Sequence, residues 1–372
     1  MVVDFSTLIF YGGDMPPGKT LSLFRRQIDQ IDQKILDLLN KRSRIVLKIG
    51  SLKTKEKRAY YVPSRERRHL DRLKKINKGP FPHHSLQSVF KEIFSASLSL
   101  QSPIKTGYLG PAGTFTHAAS LRHFGHSTEM VPMTSISKVF EEVEHGRLDY
   151  GVVPIENSME GVVNLTLDLF LDSPLKINAE ILLPITHHLL SQATGLNLIQ
   201  KIYSHPHATA QCRQWLEENL PSVPIMDESS TARAAQRAAE EPHAAAIASE
   251  YAAEIYNLRI VSKNIGDYPN NYTRFLVIGR NEMPPSRDDK TSLLFSVKDE
   301  AGILYKVLEP FSKEKINLTK IESRPMKKKA WQYIFFLDIE GHMKEPKIKR
   351  TLRSLERKSV LLKVLGSYPK SL

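Results

Sequence analysis

A single cysteine, Cys212, stands among 372 residues. That excludes an internal disulfide framework and any zinc site built from cysteines. No apolar run approaches the ~18 residues that a membrane-spanning helix needs. The opening residues, MVVDFSTLIFYGGDMPPGK, lack the basic start and small-residue cleavage site of a secretory signal. A cytoplasmic setting with no membrane partner is therefore expected. The glycine-rich turn at 110–116, GPAGTFT, has neither the lysine of a Walker-type phosphate loop nor G-x-G-x-x-G spacing. A small carboxylate suits it better than a nucleotide, because free N–H groups at a helix start favour anions. His187-His188 has no partner at metal-ligand spacing, so no metal is expected.

The composition, 41% hydrophobic and 25% charged, is that of an ordinary globular protein of two to four domains. The net charge of +13 is unevenly spread. Residues 1–104 carry 20 basic against 9 acidic side chains, residues 105–285 carry 13 against 20, and residues 286–372 carry 20 against 11. Basic ends suit either a nucleic-acid binder or an enzyme whose first site holds a dianion. Pro16-Pro17-Gly18 closes a leader, 1–19, expected to be mobile. Gln101-Ser102-Pro103 marks a change from helical patterning to short strands, and residues 283–289 read as a polar linker. Lys327–Lys329 reads as a hairpin turn.

Segment 20–102 reads as helix throughout. Apolar residues at 21, 24, 28, 31, 35, 38, 45, 49 and 52 recur in steps of three and four, a coiled-coil-like seam. Further helices are expected at about 64–77 and 86–100. Position 42 belongs to the seam and is Arg42, a costly choice unless an anion meets it. That anion is either an internal carboxylate (Asp32, Asp37 or Glu66) or a ligand. Arg25, Lys53, Arg65, Glu66, Ser97 and Gln101 add polar groups on the same short helical segment, which favours a ligand. Segment 105–282 alternates strands with helices, implying an α/β sheet with ligands at loop ends. Segment 290–369 reads βαββαβ, a ferredoxin-like module.

The run LFRRQIDQIDQKILDLLNKRSRIVLKIGSLK, followed by S-R-E at 64–66 and S-x-x-x-Q at 97–101, resembles the all-helical chorismate mutases. The resemblance implies rearrangement of chorismate to prephenate through a pericyclic transition state. Such chemistry needs shape and positive donors but no cofactor, nucleophile or metal. On the matching positions, Arg25 and Arg42 would hold carboxylates, and Lys53 and Gln101 would donate to the ether oxygen. Arg65 would support the site, Glu66 would bind the hydroxyl and Ser97 a carboxylate. Val62 stands where many members carry Asp. Arg25 and Arg42 lie 17 residues apart, about 25 Å along a helix, too far to close around one small dianion. A homodimer or higher homo-oligomer with a shared site is expected.

Five segments in order resemble the prephenate dehydratases over 105–282: GPAGTFT, PIENSMEGVV at 154–163, IYSHPHATAQC at 202–212, SSTARAA at 229–235 and NYTRF at 271–275. The implied fold is two-lobed and like a periplasmic binding protein, with the second lobe at about 183–268. The implied reaction takes prephenate to phenylpyruvate with loss of CO2 and water. Thr273 would donate to the departing hydroxyl. Asn157, Ser158, Ser204, Gln211, Thr231 and Phe275 would line the pocket. Arg274 would either take a carboxylate or pair with an acidic residue.

The final module carries AGIL at 301–304, NLTKIESRP at 317–325 and YIFFLDIEG at 333–341. These resemble an ACT domain of the phenylalanine-binding kind. The resemblance implies L-phenylalanine as effector, held by Gly302, Ile303, Leu304, Asn317, Leu318, Glu322, Ser323, Arg324 and Pro325. Taken together, the expectation is a multidomain enzyme of the bifunctional chorismate mutase/prephenate dehydratase type, feedback-inhibited by phenylalanine. A ligand-responsive transcription regulator would instead need a short-turn helix-turn-helix. A first helix of some thirty residues with a seam fits that poorly, so no nucleic-acid partner is expected. A third reading keeps the dehydratase and makes the helices a chorismate sensor. No motif separates prephenate from arogenate.

Overall fold

The computed structural model describes residues 17–56, 61–286, 288–325 and 333–371. Residues 1–16 of the expected leader and the expected turn at Lys327–Lys329 lie outside the described residues. The chain divides into two compact units, residues before 61 with Leu100–Ser102, and the remainder.

In the first unit, helix α1 (Pro17–Lys55) runs 39 residues, about 58 Å at helical rise. It includes the last three residues of the expected leader, because proline at a first helical turn costs no hydrogen bond. The seam residues Leu21, Phe24, Ile28, Ile31, Ile35 and Leu38 are 49–65% exposed. Further along, Gly50 meets Gln101: a Cβ added at Gly50 would come within 3.1 Å of Gln101 Cγ.

The second unit begins with α2 (Pro63–Ile76) and α3 (His83–Gln101), of which residues up to Ser99 belong to it. Then follow β1 (Lys105–Leu109), α4 (Phe115–Phe124), β2 (Glu129–Met133), α5 (Ile136–Glu144), β3 (Tyr150–Asn157), β4 (Gly161–Val162), α6 (Asn164–Asp172) and β5 (Lys176–Pro184). A second sheet comes from β6 (His188–Ser191), β7 (Lys201–Ser204), α7 (Pro206–Gln211), α8 (Arg213–Asn219), β8 (Ile225–Asp227), α9 (Thr231–Ala239), β9 (Ala244–Ala248), α10 (Glu250–Tyr256) and β10 (Arg259–Ser262), in the strand order β10-β6-β9-β7-β8. Alanines on both sides let α9 approach β9 closely: Ala232, Ala234, Ala235 and Ala238 are buried, as is all of β9. The chain then returns as β11 (Tyr272–Gly279), completing the first sheet in the order β2-β1-β3-β11-β5, with β4 on β3. The strands β1, β2 and β3 run parallel, while β11 is antiparallel to both its neighbours. Helices α7 and α8 follow each other directly, meeting at the non-helical Cys212.

The last module comprises β12 (Asp289–Ser296), α11 (Ile303–Lys313), β13 (Leu318–Pro325), β14 (Tyr333–Glu340), α12 (Pro346–Lys358) and β15 (Leu361–Pro369). Its antiparallel sheet, β13-β14-β12-β15, has the βαββαβ topology. Leu293, Phe295 and Leu337 face the two helices. Leu294, Ile334, Phe336, Leu365 and Tyr368 face the other way and join Phe140, Phe170, Ile177 and Leu276 in one core. Gly366 makes this possible, since a Cβ there would run into the backbone of Ile177. The polar linker before the last module is anchored at both ends. Met283 and Asp289 are buried, and the Asp289 carboxylate accepts from Ser286 N and Oγ at 2.8 and 2.6 Å. Helix α2 is tied down as well: the Tyr61 hydroxyl meets His123 Nε2, and Arg67 Nη1 donates to Lys370 O at 2.6 Å.

Candidate active site

Helices α4 and α9 start at the carboxyl ends of β1 and β8, where their caps come from short hydroxyl side chains. Thr114 Oγ1 accepts from His117 N at 3.2 Å and Ser230 Oγ from Arg233 N at 3.0 Å. Between these helix starts lies a cleft of about 740 Å³, floored by Thr273 and Phe275 and rimmed by Thr114, Thr116, Thr134, His205, Ser229, Ser230 and Thr231. No Lys, Arg, Asp or Glu is among its lining residues. Burial, then repulsion from His207, holds His205 below its ordinary pKa. An anion entering here meets hydroxyls and the positive ends of two helices.

The floor is held from behind. Asn157 Oδ1 accepts from Met159 N and Glu160 N at 2.8 and 3.0 Å, which fixes the amide so that Nδ2 points the other way. Its two protons go to Thr273 Oγ1 and Asn271 Oδ1, each at 2.8 Å. Asn271 Nδ2 donates to Gln211 Oε1 at 2.8 Å, and Gln211 Nε2 donates to Glu160 Oε1 at 3.1 Å. His187 Nε2 donates to the same Gln211 oxygen at 2.9 Å. Since Thr273 Oγ1 already accepts, its own proton is free to donate into the cleft.

The structure thus sorts the residues expected in this pocket. Thr231, Thr273 and Phe275 line it. Asn157 and Gln211 stand behind Thr273 and do not line it. Three more of the expected residues do not line it. Ser158 serves a turn, donating to Asn270 O and accepting from Tyr272 N. Ser204 is fully buried, with its hydroxyl on His205 O. Arg274 points away from the cleft, because alternate residues of a strand face opposite sides. Its guanidinium binds Glu180 Oε2 at 2.9 Å, Asp338 Oδ2 at 2.6 Å and Tyr368 OH at 3.0 Å. Sequence reasoning missed Thr114, Ser229, Ser230 and Asn271. The caps were findable, since hydroxyl residues precede predicted helices there.

Among the helices, Arg25, Arg42 and Lys53 lie on α1, and Gln101 lies against Gly50, one turn from Lys53. Arg65, Glu66 and Ser97 belong to the second unit. Val62 is the extended N-cap of α2, its carbonyl accepting from Arg65 N at 3.0 Å. Ser97 Oγ donates to Ile93 O at 2.5 Å. Glu66 lines a cavity of about 180 Å³ with Tyr61, Lys91, Arg122 and His123. Burial brings the Lys91 ammonium down to about 8.

In the last module Gly302 has φ +75°, the left-handed region that favours glycine, and open space around it. Gly302, Ile303 and Leu304 sit where α11 starts. Register puts Arg324 and Ser296 level on Ile334, at that same end of the sheet, and Leu318 and Thr291 level on Ile339 at the other. Asn317 and Leu318 are therefore roughly 23 Å from Pro325 along the strand. Arg324 was expected to hold an effector, but Arg324 Nη1 donates to Asp168 Oδ1 and Asn164 O, each at 2.7 Å. Lys320, two turns of the pleat away, pairs with Glu156 at 2.6 Å. Alternation puts Glu322 on this same face, with Ser323 and Pro325 on the other.

Comparison with known proteins bears on the same residues. Family models for chorismate mutase type II, prephenate dehydratase and the ACT domain match residues 24–102, 106–283 and 291–357. A bifunctional chorismate mutase/prephenate dehydratase of Aquifex aeolicus is 52% identical, covering 95% of this chain and 98% of its own. The chain belongs to this bifunctional family. A namesake from Pseudomonas aeruginosa is 45% identical over 94% of this chain and 98% of its own. Among solved structures, a prephenate dehydratase from Arthrobacter aurescens in complex with L-Phe is 36% identical with a TM-score of 0.66, covering 72% of this chain and 90% of that one. The mutase, dehydratase and ACT domains thus follow one another in the order read from the sequence. No helix among the described residues is long and apolar enough to cross a membrane.

Proposed function

We propose that the chain rearranges chorismate to prephenate in its helices, 20–102, and converts prephenate to phenylpyruvate in the α/β domain, 105–282, under inhibition by L-phenylalanine at the ACT module, 290–369. The observation that carries the dehydratase assignment is the Asn157–Thr273 pair under two capped helix starts. Prephenate binds with its carboxylates toward the N–H groups of α4 and α9. The bond to the departing CO2 breaks, and its electron pair moves through the ring and expels the ring hydroxyl. Thr273 donates its proton to that oxygen, which leaves as water, solvent returns a proton to the threonine, and aromatisation drives the step. Asn157 places the threonine and, by donating to Oγ1, stabilises charge that builds on it.

The mutase site rests on Arg25, Arg42, Lys53 and Gln101. An open apolar stripe as long as that of α1 supports burial against a second copy, and a symmetric dimer would set each Arg25 beside the partner's Arg42 end. The separation of Gly302–Leu304 from Asn317–Leu318 likewise supports an effector site made by two ACT modules side by side. Tyr305 and Ile321, 73% and 45% exposed, would then be covered. One cysteine supports a cytoplasmic home. The test is incubation of the full chain with chorismate, then with prephenate, with and without phenylalanine. Phenylpyruvate should form from both and be suppressed by phenylalanine; no product from prephenate would overturn the assignment.

A further inference from the structure

Strands β3 and β11 present two faces at the catalytic level. Thr273 is in register with Asn157, and Arg274 with Glu156. Thr273 meets the cleft with Asn157 behind it, while Glu156 and Arg274 turn toward the ACT sheet. There Lys320 binds Glu156 at 2.6 Å, Asp338 binds Arg274 at 2.6 Å and Lys290 binds Glu180 at 2.8 Å. Tyr368 completes the set, so every ACT strand supplies one partner: Lys290 from β12, Lys320 from β13, Asp338 from β14 and Tyr368 from β15. Three cations thus meet three carboxylates, and Glu180 and Asp338 are almost wholly out of water.

Buried ion pairs are a poor route to stability, and their best-attested use is to fix register or a switch. Here the lattice lies one peptide unit from the two side chains that hold the reacting hydroxyl. The register of β3 and β11 also shifts between Arg274 and Phe275, and irregularities of this kind re-aim side chains beside active sites. Strand β13 grips β3 through Lys320 and α6 through Arg324, while its far end bears Asn317 and Leu318.

We propose that Glu156 and Arg274 are positioning residues for the dehydratase reaction, setting Asn157 and Thr273 through the pleat, and that Lys320 passes the state of the ACT sheet to Glu156. This rests on the dehydratase and effector assignments made above. A shift of β13 on effector binding moves the Lys320–Glu156 pair, and the adjoining residue Asn157 turns with it. The hydroxyl of Thr273 then leaves its reactive orientation without any change in the cleft walls that bind substrate.

The test uses the full chain and the pair at the rim of the lattice, where substitution is tolerated best. Glu156→Gln and Lys320→Met are compared with the conservative Lys320→Arg. Chorismate mutase activity and far-UV circular dichroism serve as folding controls. Glu156→Gln should lower kcat for prephenate about tenfold with KM within about twofold. Lys320→Met should raise the phenylalanine concentration for half-inhibition about tenfold while calorimetry shows phenylalanine still bound within about threefold. Lys320→Arg should keep inhibition near wild type. The Glu156→Gln/Lys320→Met double variant should show the kcat of Glu156→Gln and the half-inhibition of Lys320→Met with no further loss in either, since coupled neighbours are not additive. Folded variants with wild-type kcat and wild-type inhibition would overturn the proposal, as would a Lys320→Met protein that no longer binds phenylalanine. A wild-type chain without prephenate turnover would instead overturn the reaction assignment and this proposal with it.

Discussion

Two regions of this molecule are assigned small dicarboxylates, and they are built from opposite materials. Helix α1 offers Arg25, Arg42 and Lys53 within a segment of strong positive charge. The cleft between the α/β lobes offers hydroxyls and helix starts, with no charged side chain in its lining. The chemistry accounts for the contrast. In the mutase reaction negative charge grows on an ether oxygen, so fixed cations stabilise the transition state more than the ground state. In the dehydratase reaction a carboxylate loses its charge as CO2 departs. A guanidinium pinned on it would hold the ground state more tightly than the transition state. Weak, neutral donors are the better choice there, and Arg274, next to Thr273 in the strand, is turned away from the cleft.

The contrast is broken most severely at Thr273. Thr273→Ala should lower prephenate turnover by about two orders of magnitude or more, the range of a positioned proton donor, while chorismate is consumed normally and prephenate accumulates. Phenylpyruvate formation at the wild-type rate would remove Thr273 from the mechanism.

On the cationic side, Arg25→Ala and Arg42→Ala should each be nearly inactive as mutases. Coexpressed, they should regain roughly a quarter of wild-type activity, because half the dimers are mixed and each mixed dimer keeps one intact site. Mixed dimers without activity would mean that Arg25 acts within its own chain. A smaller effect is expected at Gln101, whose amide donates without titrating. Gln101→Glu should move the mutase optimum toward acid, since a carboxyl must be protonated to donate and has an ordinary pKa near 4.3. An unchanged pH profile would place Gln101 outside the site.

How much of this was legible in the sequence follows from the range of each signal. Local periodicity carried the helical seam and the βαββαβ order, and motif order carried the family. Strand alternation in TRFLVIG sets Arg274 apart from Thr273 and Phe275. Of the two partners open to Arg274 in the sequence, a substrate carboxylate or an acidic residue, its face of the strand supplies the acidic ones. Ser158 and Ser204 could not be sorted, because the partners of the one at Asn270 and Tyr272 and the burial of the other depend on tertiary packing. The shared core around Leu294, Phe336 and Phe170 was hidden for the same reason. Its consequence is practical. Removing the ACT module would strip Arg274 and Glu180 of Asp338, Tyr368 and Lys290, so point variants are a cleaner test of its role than truncation.

The most direct test of the contrast is the salt dependence of both KM values on one preparation at neutral pH, where burial favours the neutral form of His205. Between about 0.05 M and about 0.5 M salt, screening of exposed charges rises steeply. The KM for chorismate should climb severalfold, while that for prephenate should change by less than about twofold. Equal climbs would contradict the account, because the cleft would then depend on cations as the helices do.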